Sequence, residues 1–213
     1  MDEIDHFLGV LERRGEITPN YNVAPTHTMP VAFVDVEGKR ITETMHWGYM
    51  GWKPKEVQKP FLPINTRDDS LTKKPMWRRA IQSKRCLIPM NGFYEWQGTK
   101  GKKTPHYIYP KNDGELLVAA GIYSDLSPID GTKSYSVITT SPNSLMEPIH
   151  DRMPAFLHPS EFEDWLNPEQ SIDLLVDMLQ PYPDDALTQH IVSKAVGNVR
   201  NNNANLIEPS TLF

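Results

Sequence analysis

At 213 residues the chain can bury one substantial core, and no run reaches the roughly 18 to 20 apolar residues of a membrane span, which excludes a helical membrane protein. One cysteine and seven scattered histidines exclude a disulfide framework, a cysteine-rich zinc site and an HExxH-type centre, so neither metal nor cofactor is expected. The net charge of −5 argues against general nucleic-acid affinity, yet Lys39 to Lys111 carries 16 basic residues against five acids, while His158 to His190 carries eight acids and no Lys or Arg. Segregation of this kind fits either a local field that attracts phosphate or two solvated faces of opposite sign.

In chain order, Ile4 to Arg14 has apolar positions at i, i+3, i+4 and i+7 and predicts a short amphipathic helix. Asn20 to Thr26, bracketed by Pro19 and Pro25, predicts extended loop with outward polar side chains such as Asn22. Met29 to Phe33 and Arg40 to Trp47 flank Glu37-Gly38 and predict an antiparallel hairpin. The aromatic, glycine-rich stretch from Trp47 to Pro54 follows, where Trp52 either caps the core or offers a face to an unstacked base. Phe61 to Arg67 predicts a short strand that puts Asn65 and Arg67 on one face.

Pro75 to Ile81 opens with a proline at a helix-start position and predicts a short helix; Arg85 to Pro89 predicts a buried strand. Cys86 lies inside that strand, where apolar burial would raise its thiol pKa, the wrong direction for a nucleophile. In Asn91-Gly92-Phe93-Tyr94-Glu95-Trp96, alternation places Phe93 and Glu95 on one face and Tyr94 and Trp96 on the other. An enclosed Glu95 would hold its proton near neutral pH and serve as an acid/base; an exposed one would only be a solubilising charge.

The Lys100 to Lys103 loop predicts a basic hairpin tip before a strand at His106 to Tyr109, and Leu116 to Tyr123 and Ser134 to Thr140 predict two more strands. Pro148 and Pro154 predict an extended segment with His150 and Arg152 on one side. Ser160 to Glu163 predicts a capping box, Ser171 to Leu179 a second amphipathic helix, and Val192 to Asn203 a phosphate-friendly loop rich in Gly, Asn and basic residues.

Seven motifs in order, Tyr21-Asn22-Val23-Ala24-Pro25, Trp47-Gly48, Asn65-Thr66-Arg67, Arg85-Cys86 through Trp96, Ile138-Thr139-Thr140, Ile149 through Pro154, and Val192-Ser193 through Asn198, resemble the SOS-response-associated peptidase (SRAP) family. That resemblance implies an α+β fold: a single domain over 1–213 with a strongly curved, mainly antiparallel, barrel-like core and peripheral helices. It also implies recognition of abasic sites in single-stranded DNA, with Asn65, Glu95 and His150 catalytic. Arg67, Arg152, Asn22, Trp52, Thr140 and Ser193 would then contact the DNA. The family attaches itself to the abasic aldehyde through an N-terminal cysteine, closing a thiazolidine. Here the chain begins Met1-Asp2-Glu3-Ile4, so the cysteine segment is expected to be missing and this form inactive in cross-linking. The protein is expected to be a cytoplasmic monomer, nucleoid-associated when bound to DNA. Two rival readings are a non-covalent single-strand-binding module and a peptidase or hydrolase using Glu95 and His150, the latter without a GxSxG nucleophile.

Overall fold

A computed structural model describes residues 3–52, 61–129 and 131–210. Helix α1 (Glu3–Phe7) is shorter than the apolar spacing predicts, because Gly9 turns left-handed at φ +64°. The Gly9 N–H donates to the His6 carbonyl and the Val10 N–H to that of Asp5, the paired bonds of a glycine C-cap. Strand β1 (Glu12–Arg14) then takes over, so Leu8 and Val10 enter the core while Leu11 stays in solvent.

Strands β2 (Thr28–Val34) and β3 (Arg40–Trp47) form the expected hairpin, and the Asp35 carboxylate shapes its turn by accepting the N–H groups of Glu37 and Lys39. Of the predicted strand at 61–67 only β4 (Asn65–Arg67) is regular. Helices α2 (Asp68–Leu71) and α3 (Pro75–Ser83) follow, the latter with its proline in the first turn. Next come β5 (Arg85–Met90), β6 (Phe93–Thr99), β7 (Lys102–Pro110), β8 (Leu117–Ser124) and β9 (Lys133–Thr140). The two-residue strand β10 (Met153–Pro154), helices α4 (Phe162–Leu166) and α5 (Ile172–Asp177), and β11 (Leu187–Ile191) complete the regular elements.

Two of the sequence expectations fail locally. The segment around Pro148 is a turn, with the N–H groups of Ile149 and His150 both donating to the Met146 carbonyl, and extended backbone resumes only at β10. The cap before α4 is made by Glu161 accepting the His158 N–H at 2.7 Å, two residues earlier than a box opened by Ser160. The second amphipathic helix is present as α5, with Ser171 just outside it as the cap, accepting the Leu174 N–H.

Five strands close on themselves in the order β3-β2-β5-β8-β9-β3, the last pairing being parallel and the others antiparallel. Closure removes the free edges of this sheet, and β9 is long enough to carry β3 and then β4 along one edge, β8 and then β10 along the other. Alternation divides the apolar residues. Val31, Phe33, Met45, Cys86, Ile88, Tyr135 and Val137 point into the barrel, whereas Leu87, Val118, Ala120, Ile122 and Ile138 point out to meet Trp77, Ile81 and Trp165 of the helices.

Arg85 clamps this outer layer. Its buried guanidinium donates to the Ile81 and Gln82 carbonyls ending α3 and to those of Trp165 and Asn167 ending α4, while burial lowers its pKa to about 10. The second sheet, β6-β7-β11, lies against the barrel through Phe93, Ile108 and Leu187. Its other face, with Tyr94, Trp96 and Tyr107, is covered by Val192, Val196 and Leu206 of the C-terminal segment.

Candidate active site

The two faces of β6 set up the site. Gly92 leads into the strand where no side chain fits: a Cβ there would lie 2.5 Å from the Tyr107 ring and 2.6 Å from the Ile108 carbonyl oxygen. Phe93 then packs on Phe156 at 5.7 Å between ring centroids, and Glu95, two residues on, faces the same way at the rim of the sheet. Tyr94, on the opposite face, donates its hydroxyl to the Tyr21 carbonyl at 2.7 Å, which fixes the strand from behind. Across the ladder Glu95 is opposite His106.

Burial raises the Glu95 pKa above the ordinary carboxylate value, which keeps the neutral acid available. The charge of His150, the Trp96 backbone N–H and Lys103 oppose that rise, and Asp151 adds to it. Glu95 and His150 therefore lie within electrostatic reach of each other. The Gln97 amide, one position further along the same face, holds the His150 loop by donating to the Pro148 carbonyl at 2.9 Å.

His150 is half-exposed, and its Nδ1 is tied to the backbone of Arg152: the Arg152 N–H lies 3.1 Å away and the Arg152 carbonyl oxygen 3.0 Å away. The Arg152 side chain turns inward. It pairs with Asp68 at 2.5 Å and also donates to the Thr139 carbonyl, so its guanidinium is mostly buried. The sequence expectation that His150 and Arg152 share a side is therefore replaced by opposite roles, one ring outward and one guanidinium inward.

Asn65 and Arg67 are both exposed on β4, as alternation predicts, with Thr66 buried between them against Ser136 at 2.9 Å. The hydrogen bond that Arg67 donates to Asp69, with the charges of Asp69, Asp151 and Asp68, holds the Arg67 pKa above the usual arginine value. Arg67 thus sits in the field of the residue next to His150. Asn65 shares the Arg67 face, and no hydrogen bond joins its amide to Glu95 or His150 among the described residues.

The remaining expected contacts divide. Asn22 is buried, and its amide donates to the carbonyls of Val196, Asn198 and Asn201, each at 3.1 Å; it fastens the C-terminal segment rather than pointing outward. Thr140 is buried too, donating its hydroxyl to the Leu179 carbonyl and Asp68. Ser193 is exposed and caps a helical turn by accepting the Ala195 N–H. Trp52 keeps 49% of its surface in solvent; Lys53 and Pro54, the end of that aromatic stretch, lie outside the described residues. Cys86 is fully buried, and burial pushes its thiol pKa up.

Sequence reasoning missed Asp68 and Gln97. Neither has a local signal, since each acts on the His150 loop across long sequence separations.

Comparison with known proteins identifies the family and the fold. The family model described as "SOS response associated peptidase (SRAP)" matches residues 2–199. The chain is 38% identical over 209 residues to abasic site processing protein YoqW of Bacillus subtilis, covering 96% of this chain and 91% of that one. It is 32% identical to abasic site processing protein HMCES of Xenopus tropicalis, covering 86% of this chain and 64% of the relative. A crystal structure of a Bacteroides thetaiotaomicron protein superposes with a TM-score of 0.73 at 27% identity, over 87% of this chain and 82% of that chain. With a family match over nearly its whole length and the same fold in a solved relative, the chain belongs to the SOS response associated peptidase family.

Proposed function

We propose that this protein binds single-stranded DNA and processes abasic sites through residues of β6, β4 and the His150 loop. The observation that carries the reading is a carboxyl group, Glu95, held protonatable by burial next to the half-exposed imidazole of His150. An abasic deoxyribose is mostly a closed hemiacetal. Glu95 donates a proton to the ring oxygen while His150 accepts one from the anomeric hydroxyl, and the ring opens to the aldehyde. Asn65 orients the sugar by hydrogen bonds, and Arg67 holds the adjacent phosphate. Relatives named abasic site processing proteins support the choice of substrate.

Covalent capture is the finer part of the proposal. An N-terminal cysteine amine adds to the aldehyde, water leaves to give the imine, and the thiol adds across it to close a thiazolidine. Cys86 cannot supply this group, being internal and fully buried. The test compares the chain as given with a form extended upstream to a free N-terminal cysteine, each incubated with abasic and intact oligonucleotides. Both forms are expected to prefer the abasic strand, and only the extended form to give a denaturation-resistant adduct. Equal affinity for the two oligonucleotides, falling steeply with salt, would instead identify a non-covalent single-strand-binding module.

A further inference from the structure

We infer that Asp68 is a positioning residue for His150, acting through Arg152, and that this connection lets the imidazole gain and lose a proton without moving. The inference deepens the reading above and rests on it for the identity of the substrate. Asp68 follows β4 and is mostly covered, its side chain 22% exposed. One carboxylate oxygen receives Arg152 Nη2 at 2.5 Å, and the other receives the Thr140 hydroxyl at 3.0 Å. The same Arg152 nitrogen also donates to the Thr139 carbonyl, so the arginine is held by β9 as well. With its side chain anchored at that end, the Arg152 peptide has little freedom to shift.

That peptide is where His150 rests. When Nδ1 is unprotonated it accepts the Arg152 N–H at 3.1 Å; when protonated it donates to the Arg152 carbonyl oxygen at 3.0 Å. Asp151, 3.4 Å from Nδ1, faces the cationic form. One residue therefore provides both a donor and an acceptor to the same ring nitrogen, leaving Nε2 directed to a ligand in either state. The charged groups that reach this ring are Glu95 from the second sheet and Asp151 from its own loop; Lys103 acts on Glu95, Arg67 on Asp151, and the Arg152–Asp68 pair lies inward. Freeing Arg152 from Asp68 loosens the peptide and lets the ring choose its own orientation.

The experiment is carried out on the full chain and on Asp68→Asn, which preserves size and an acceptor for Thr140 but removes the charge. Long-range proton–nitrogen NMR reads the His150 tautomer from pH 5 to 8, and the Arg152 guanidinium resonances read its restraint. Neither needs DNA. In the wild type the neutral ring is expected to carry its proton on Nδ1, donated to the Arg152 carbonyl oxygen, with slow rotation of the Arg152 guanidinium; fast rotation would overturn the inference even if the variant fails to fold. In folded Asp68→Asn the tautomers are expected to mix. The preference for abasic over intact oligonucleotide should then fall by about tenfold, with affinity for the intact strand within about twofold.

Unchanged His150 spectra in the variant would overturn the inference, as would a retained abasic preference. If the spectra change but the wild type shows no abasic preference, the positioning role stands and the substrate reading falls.

Discussion

Glu95 is the residue where burial and charge oppose each other most directly. Its folded pKa is raised by desolvation, so between the ordinary carboxylate pKa and that raised value the native state binds more protons than the unfolded chain. Stability linked to this group is therefore full at low pH and declines as pH rises through the folded value. Glu95→Gln removes the ionisation, and thermal unfolding at pH 8 should show a gain in stability over wild type that vanishes near pH 4. The same substitution should slow adduct formation in a cysteine-bearing form much more than it weakens DNA binding.

The two arginines first paired as phosphate ligands now predict different outcomes. Arg67 is exposed, and Arg67→Ala should lower the salt slope of single-strand binding by about 0.7. Arg152 is committed to Asp68 and Thr139, so Arg152→Ala should leave that slope nearly unchanged while lowering the unfolding temperature. Affinity measured across a salt series, with melting curves alongside, separates them.

At the level of the element, the strand that carries Glu95 depends on its approach. Gly92 passes against the Tyr107 ring and the Ile108 carbonyl, so Gly92→Ala should push β6 off β7 and cost about 1–3 kcal/mol in urea unfolding. Elements written in local signals were legible in the sequence. The β2–β3 hairpin follows from Glu37-Gly38, α3 from Pro75, α5 from the amphipathic spacing after Ser171, and the facing of Glu95 and of Asn65 with Arg67 from simple alternation. What failed was decided elsewhere. The periodicity past Phe7 was overridden by Gly9, the two prolines bounding the His150 loop concealed a turn, and Asn22 looked like an outward loop residue until the C-terminal segment wrapped over it. Asp68 had no visible role because its partners, Thr140 and Arg152, lie 72 and 84 residues away.

For the whole molecule, the barrel and the second sheet contribute different halves of the site. Asn65, Arg67 and Asp68 belong to the β4 side of the barrel, Glu95 and Gln97 to the separate sheet, and the His150 loop bridges them through the Gln97 amide on one side and Asp68 on the other. Alternation along one strand set the facing of Glu95, while Asp68 and Gln97, which fasten the loop beside it, came to light only in three dimensions.

Closure of the barrel also has a kinetic side. The β6–β7 hairpin joins neighbours across a short tip, whereas β3 pairs with β9 across most of the barrel's sequence, and Asn22 bonds to a carbonyl 174 residues away. Contacts of such unequal span form in sequence, local ones first. The acid would thus emerge early on a self-contained ribbon, and competence for chemistry would appear only when the slowest, most distant pairings lock the imidazole beside it.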